Sequence, residues 1–171
     1  QLGRGVTAVA SCAPWSRRVL AEASAEGAPA QALPAALAAL RERTGSELPA
    51  QARLLVPDEL VYFTLVNENA GWPAARQAAA RHFAATLGRQ DLVVQVVGLP
   101  GSGSWLGAAL EPADLQAWQQ MLAAAGVRLA HVELQLLEDL RLVAPQVPDE
   151  AIVALLREEG TTLVRVERGA P

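Results

Sequence analysis

Short apolar runs of strand character alternate along this chain with alanine-rich stretches of helical period. That alternation restricts it to an α/β fold, a mixed β-sheet with helices packed on it. Residues 6–11 and 18–23 read as strands joined by a turn around Pro14 and Trp15. Pro34 opens a helix with Leu37 and Leu40 on one face, Arg41 and Arg43 in its last turn and Gly45 as its stop. Residues 53–56 and 60–66 are the next strands, bent at Pro57-Asp58. A longer helix, 73–87, carries Trp72, Ala75, Ala79, Phe83 and Leu87 at helical spacing before Gly88 ends it.

Residues 92–97 form a valine-rich run, read as a strand buried on both faces. A glycine-rich loop, 98–104, then leads to a strand at 105–110, and the two strands are expected to form a hairpin. Pro112 at a first helical position and Asp114 in the first turn open another helix. Leu115, Trp118, Leu122 and Ala125 give that helix its apolar stripe, and Gly126 caps it. Residues 129–134 are again strand-like. Residues 152–156 suit a helix by their leucine and alanine, or the first arm of a hairpin turning at Glu159-Gly160 into 162–166. The run Thr-Thr-Leu-Val-Arg-Val weighs for the hairpin.

The chain has 171 residues, within one-domain range, and 51% of them are apolar, enough for a sizeable core. With 14 basic and 18 acidic residues interspersed, the net charge of −4 speaks against a nucleic-acid binder and against a basic membrane-surface helix. Every basic residue is arginine, which leaves no lysine for Schiff-base or P-loop chemistry. A lone cysteine, Cys12, cannot form an internal disulfide and fits a reducing compartment. No apolar run approaches the roughly 20 residues of a membrane span, and no signal peptide is seen. Opening on Gln1 rather than Met, directly in strand-like sequence, is expected of a piece lacking its native start.

Catalytic constellations are sparse. His82 and His131 are the only histidines, and neither has a ligand-spaced partner, so no zinc site is expected. Gly101-Ser-Gly-Ser-Trp105 lacks the nucleophile-elbow frame and precedes a strand rather than a helix, so it reads as a loop and not a phosphate cradle. The acidic pairs Asp58-Glu59, Glu138-Asp139, Asp149-Glu150 and Glu158-Glu159 are sequence neighbours, whose side chains do not converge. Trp118 fits a core stripe. Trp15, Trp72 and Trp105 stand at element boundaries, where core packing competes with a role as half-exposed anchors for a protein partner.

Residues 103–134, Gly-Ser-Trp-Leu-Gly-Ala-Ala-Leu-Glu-Pro-Ala-Asp-Leu and onward through Ala-Ala-Ala-Gly to His-Val-Glu-Leu, run strand, helix, glycine, strand. This segment resembles the middle of the actin-like pilus-assembly proteins of the PilM type and of their type II secretion counterparts of the GspL type. Gly5-Val-Thr-Ala-Val9 resembles the family's first strand, 33–43 its first helix, and Val56-Pro-Asp-Glu-Leu-Val61 its strand turn before a long helix. Residues 153–166, with Gly160-Thr161-Thr162 at the turn, resemble the hairpin that opens the second lobe.

The resemblance implies an actin-like, ribonuclease-H-like fold, with residues 1–150 as the first lobe and 151–171 as the start of a second. It places the family's nucleotide-binding turns at Gly3 to Gly5 and at Gly160, Thr161 and Thr162. Both turns depart from the pattern: Gln1-Leu2 stands where an acid is expected, and Arg157-Glu-Glu-Gly160 puts acids where phosphate would sit. The implied role is therefore a scaffold without a bound cofactor, ATP included. It would lie in the cytoplasm against the inner membrane and dock the cytoplasmic tail of a membrane-anchored assembly subunit, with an assembly ATPase as a further partner. Two other readings stand beside it: a nucleotide-binding ATPase or switch of the same superfamily, and an unrelated α/β interaction domain.

Overall fold

The computed structural model describes residues 6–12, 19–45, 48–67, 71–99, 102–156 and 160–167. Nine strands and four helices are seen among them. The chain divides into two compact units, Gln1–Leu54 with Ala113–Val132, and Leu55–Pro112 with Glu133–Pro171.

In the first unit, β1 (Val6–Cys12) pairs antiparallel with β2 (Val19–Glu26), from Val6 opposite Glu26 to Cys12 opposite Val19. Helix α1 (Pro29–Thr44) packs on this ladder. It starts five residues earlier than expected. Pro29, not Pro34, occupies the first turn, where a missing N–H costs nothing. Pro34 lies inside the helix, exposed, so its ring points to solvent. Ala32, Leu33, Ala36, Leu37 and Leu40 form the buried stripe, and Gly45, in the left-handed conformation at φ 58°, returns its N–H to Arg41 O. Leu33 and Leu37 meet Leu122 of α3 (Pro112–Ala124) and Val127 in one apolar cluster. Arg41 donates to Ala125 O at 2.9 Å, tying the end of one helix to the end of the other. Strand β3 (Gln51–Val56) pairs with β7 (Arg128–Leu134).

The second unit is built on a three-stranded antiparallel sheet in the order β4 (Tyr62–Asn67), β6 (Ser104–Leu110), β5 (Val93–Gly98). The expected hairpin of the last two strands is present, with Val93 opposite Leu110 and Gly98 opposite Trp105. Helix α2 (Trp72–Leu87) lies on one face, where Ala75, Ala79 and Phe83 meet Val66, Val94, Val96 and Ala109. The strand buried on both faces is β6, whose residues Leu106–Leu110 are all buried, because it is the central strand. Valine-rich β5 is an edge strand whose burial alternates, with Gln95 and Val97 exposed. The unit also holds helix α4 (Gln135–Val143), which the sequence reading did not contain, and a second hairpin, β8 (Glu150–Leu156) with β9 (Thr161–Glu167).

Candidate functional site

The segment Val56-Pro-Asp-Glu-Leu-Val61 brings the second unit's polar groups together. Pro57 ends the strand, and Asp58–Leu60 forms a single 3₁₀ turn between buried Val56 and Val61. Asp58 projects its carboxylate to two other elements. Oδ1 accepts from the backbone N–H of Leu136 at 3.0 Å, and Oδ2 accepts from the Thr162 hydroxyl at 3.1 Å. Thr162, opposite Leu155 in the hairpin, is half-buried, whereas Gly160 and Thr161 are exposed. Gly3, Gly5 and Trp15 lie outside the described residues. Of the candidate phosphate-binding positions within them, Thr162 thus has its hydroxyl engaged on a carboxylate. Sequence reading assigned Asp58 no such role, since neither partner is near it in the chain.

The tryptophans divide by environment. Trp72 follows Gly71 and opens α2, and it remains 45% exposed. The Arg76 guanidinium, one turn on, lies 5.7 Å from the centre of its ring, while Arg76 Nε donates to Val94 O at 2.9 Å. The indole is therefore stacked on a cation that the sheet itself holds in place. Trp105 packs instead against the α2 side of the sheet, beside Gly98, where an added Cβ would meet its ring at 3.6 Å. Trp118 is buried. Trp72 is thus the exposed tryptophan among the described candidates.

The outer row of the β8–β9 hairpin was not singled out from sequence. Ile152, Leu156 and Leu163 are 74%, 79% and 68% exposed, while Val166 on the inner row is buried. The signal was legible in β8 alone, where residues 151–156 are apolar in both alternating rows, whereas the outer row of β9 is Thr161, Leu163, Arg165 and Glu167.

Polar surface groups are engaged in structural pairs. Arg89 takes Asp91 at 2.7 Å and Glu111 at 2.8 Å, and Tyr62 donates to Glu111 at 3.3 Å. The hydrogen bond from Arg89 holds the Asp91 carboxyl below its ordinary value, and the two acids raise Arg89 further still. His82 and His131 are exposed, and among the described residues no group of three or more His, Cys, Asp or Glu could hold a metal ion. Among them, too, no helix is long and apolar enough to cross a membrane.

No protein-family model matches the chain, and no curated protein does. Solved structures do. The PilM–PilN type IV pilus biogenesis complex contains a chain that superposes with a TM-score of 0.70 at 16% identity, over 99% of this chain and 57% of that one. The cytoplasmic domain of EpsL, an inner membrane component of the type II secretion system of Vibrio cholerae, gives 0.58 at 14% identity, over 92% and 61%. These are the two kinds of protein that the sequence resembles. At such identities the likeness carries the fold, and the fold is the α/β, actin-like one. The chain spans less than two thirds of the length of either relative.

Proposed function

We propose that this chain is a non-catalytic docking lobe in the inner-membrane assembly platform of a type IV pilus or type II secretion machine. In this reading residues 1–150 are the first actin-like lobe and 151–171 begin a second. It works at the cytoplasmic face of the membrane and holds the cytoplasmic tail of a membrane-anchored subunit. An assembly ATPase is a further partner. The observation that carries the proposal is the superposition of 99% of the chain on a chain of the PilM–PilN type IV pilus biogenesis complex.

Two features of the site support docking over catalysis. Trp72 presents a large, stiff, half-exposed surface held by Arg76, the character of a binding anchor. Thr162, at one of the two turns where a nucleotide phosphate is expected, spends its hydroxyl on Asp58, and an acid at that place repels phosphate.

The test is co-purification with a PilN-like membrane-anchored subunit, comparing the full-length subunit with a form lacking its cytoplasmic tail. Capture that requires the tail supports the proposal. Equal capture without it, or none with it, refutes it.

A further inference from the structure

Helix α4 begins without a cap of its own. Its N-cap position is Leu134, whose side chain offers nothing to the unpaired N–H groups of the first turn. The acceptor comes instead from 78 residues away in sequence, as the Asp58 carboxylate takes the Leu136 N–H on Oδ1 at 3.0 Å. A negative group is also the favoured sign at a helix N-terminus. The same carboxylate takes the Thr162 hydroxyl on Oδ2 at 3.1 Å. Asp58 is itself fixed by its backbone: Leu60 N–H returns to Pro57 O and Val61 N–H to Asp58 O, both at 3.1 Å, and the flanking Val56 and Val61 are buried. A carboxylate set in the body of the unit thus grips two elements of the C-terminal segment at once.

We infer that Asp58 is a clasp that couples the start of α4 to the seating of the β8–β9 hairpin, so that the two loosen together. Each donor holds the carboxylate in the orientation that the other needs. Losing the Thr162 bond removes one of the contacts that orient the carboxylate, which weakens its charge-assisted bond to Leu136. The coupling is reciprocal, as any equilibrium coupling must be. Because the hairpin carries the exposed Ile152, Leu156 and Leu163, the clasp sets how firmly those apolar side chains are presented.

The test is amide hydrogen exchange on the 171-residue chain, read residue by residue. Thr162→Val keeps the side-chain shape and removes the hydroxyl. It is expected to speed exchange of the Leu136 amide by about 2- to 10-fold, the range for one lost hydrogen bond. Thr162→Ser, which keeps the hydroxyl, stays at the wild-type rate. Asp58→Ala speeds exchange both at Leu136 and along β9, and adding Thr162→Val to it changes Leu136 no further. A Thr162→Val effect confined to hairpin amides, or additive effects of the two substitutions at Leu136, overturns the clasp. Asp58→Ala reads the coupling from the opposite end, so the inference does not depend on one variant remaining folded.

Discussion

Ala79 lies directly over Gly107: a Cβ placed on the glycine would come within 2.9 Å of the alanine's own Cβ and 2.8 Å of Thr64 Cγ2. Helix α2 therefore rides on the central strand with no side chain between them. The alanine richness of the helix is the complement of a glycine in the strand, and together they set how closely the layers approach. Gly107→Ala is expected to destabilise the chain by about 1–3 kcal/mol, and Gly107→Val by more, through overpacking at this contact. Urea unfolding midpoints measure it, and an unchanged midpoint for Gly107→Ala contradicts the packing described.

Trp72 and Trp105 are expected to respond in opposite ways. Trp72→Ala removes an exposed ring and one cation–π contact, costing about 0.5–1 kcal/mol, yet it weakens partner binding tenfold or more. Trp105→Ala opens the α2 side of the sheet and costs about 2–4 kcal/mol. Thermal melts and binding titrations of the two variants separate the roles, and equal stability losses contradict the assignment.

The Arg89–Asp91 pair gives a pH dependence of known sign. The Asp91 carboxyl is held below its ordinary 3.8 in the folded chain, so the unfolded chain binds the proton more readily. The pair's stabilisation is present in full above the unfolded value and is lost as pH falls through the lower folded one. Asp91→Asn abolishes this acid-side component, so its stability falls less than that of the wild type as the pH drops below the ordinary carboxylate value of 3.8. Parallel curves for the two proteins over that range contradict the pairing.

Millimolar Mg-ATP is expected to leave the melting midpoint where it is. A ligand at about 100 times its dissociation constant adds about 2.7 kcal/mol, a shift plain in any thermal scan. A magnesium-dependent rise restores the nucleotide-switch reading.

What could be read from the residues, and what could not, follows the range of the interactions. Gly45, Gly88 and Gly126 end their helices as expected, because each signal lies next to the turn it makes and all three adopt positive φ. The hairpin at 150–167 was legible from its β-branched second arm. Helix α4 was not, since its cap is Asp58, far off in sequence, and no local residue announces the start. The burial of β5 was overestimated for a similar reason. Its valines speak for a fully covered strand, but strand order places β6, with glycine and alanine in its middle, at the centre. Composition reports what a strand tolerates, while its neighbours decide what covers it.

For the site, the types of residue were legible and their company was not. Trp72, Trp105 and Thr162 were all named from sequence, yet exposure alone separates the first two and a distant carboxylate claims the third. The apolar residues on the outer face of the hairpin escaped notice because alternation directs attention to one face, and Ile152, Leu156 and Leu163 stand on the other among polar neighbours.

The central claim, that this lobe docks a membrane-anchored partner's tail, is tested most directly by calorimetric titration of the chain with a synthetic peptide of that tail. The peptide is taken from the PilN-like subunit of the same genome, with a scrambled peptide as control. The account predicts saturable one-to-one binding of the native peptide, weakened at least tenfold by Trp72→Ala and unchanged by Mg-ATP. No binding of the native peptide to the folded chain, or equal binding of the scrambled one, contradicts it.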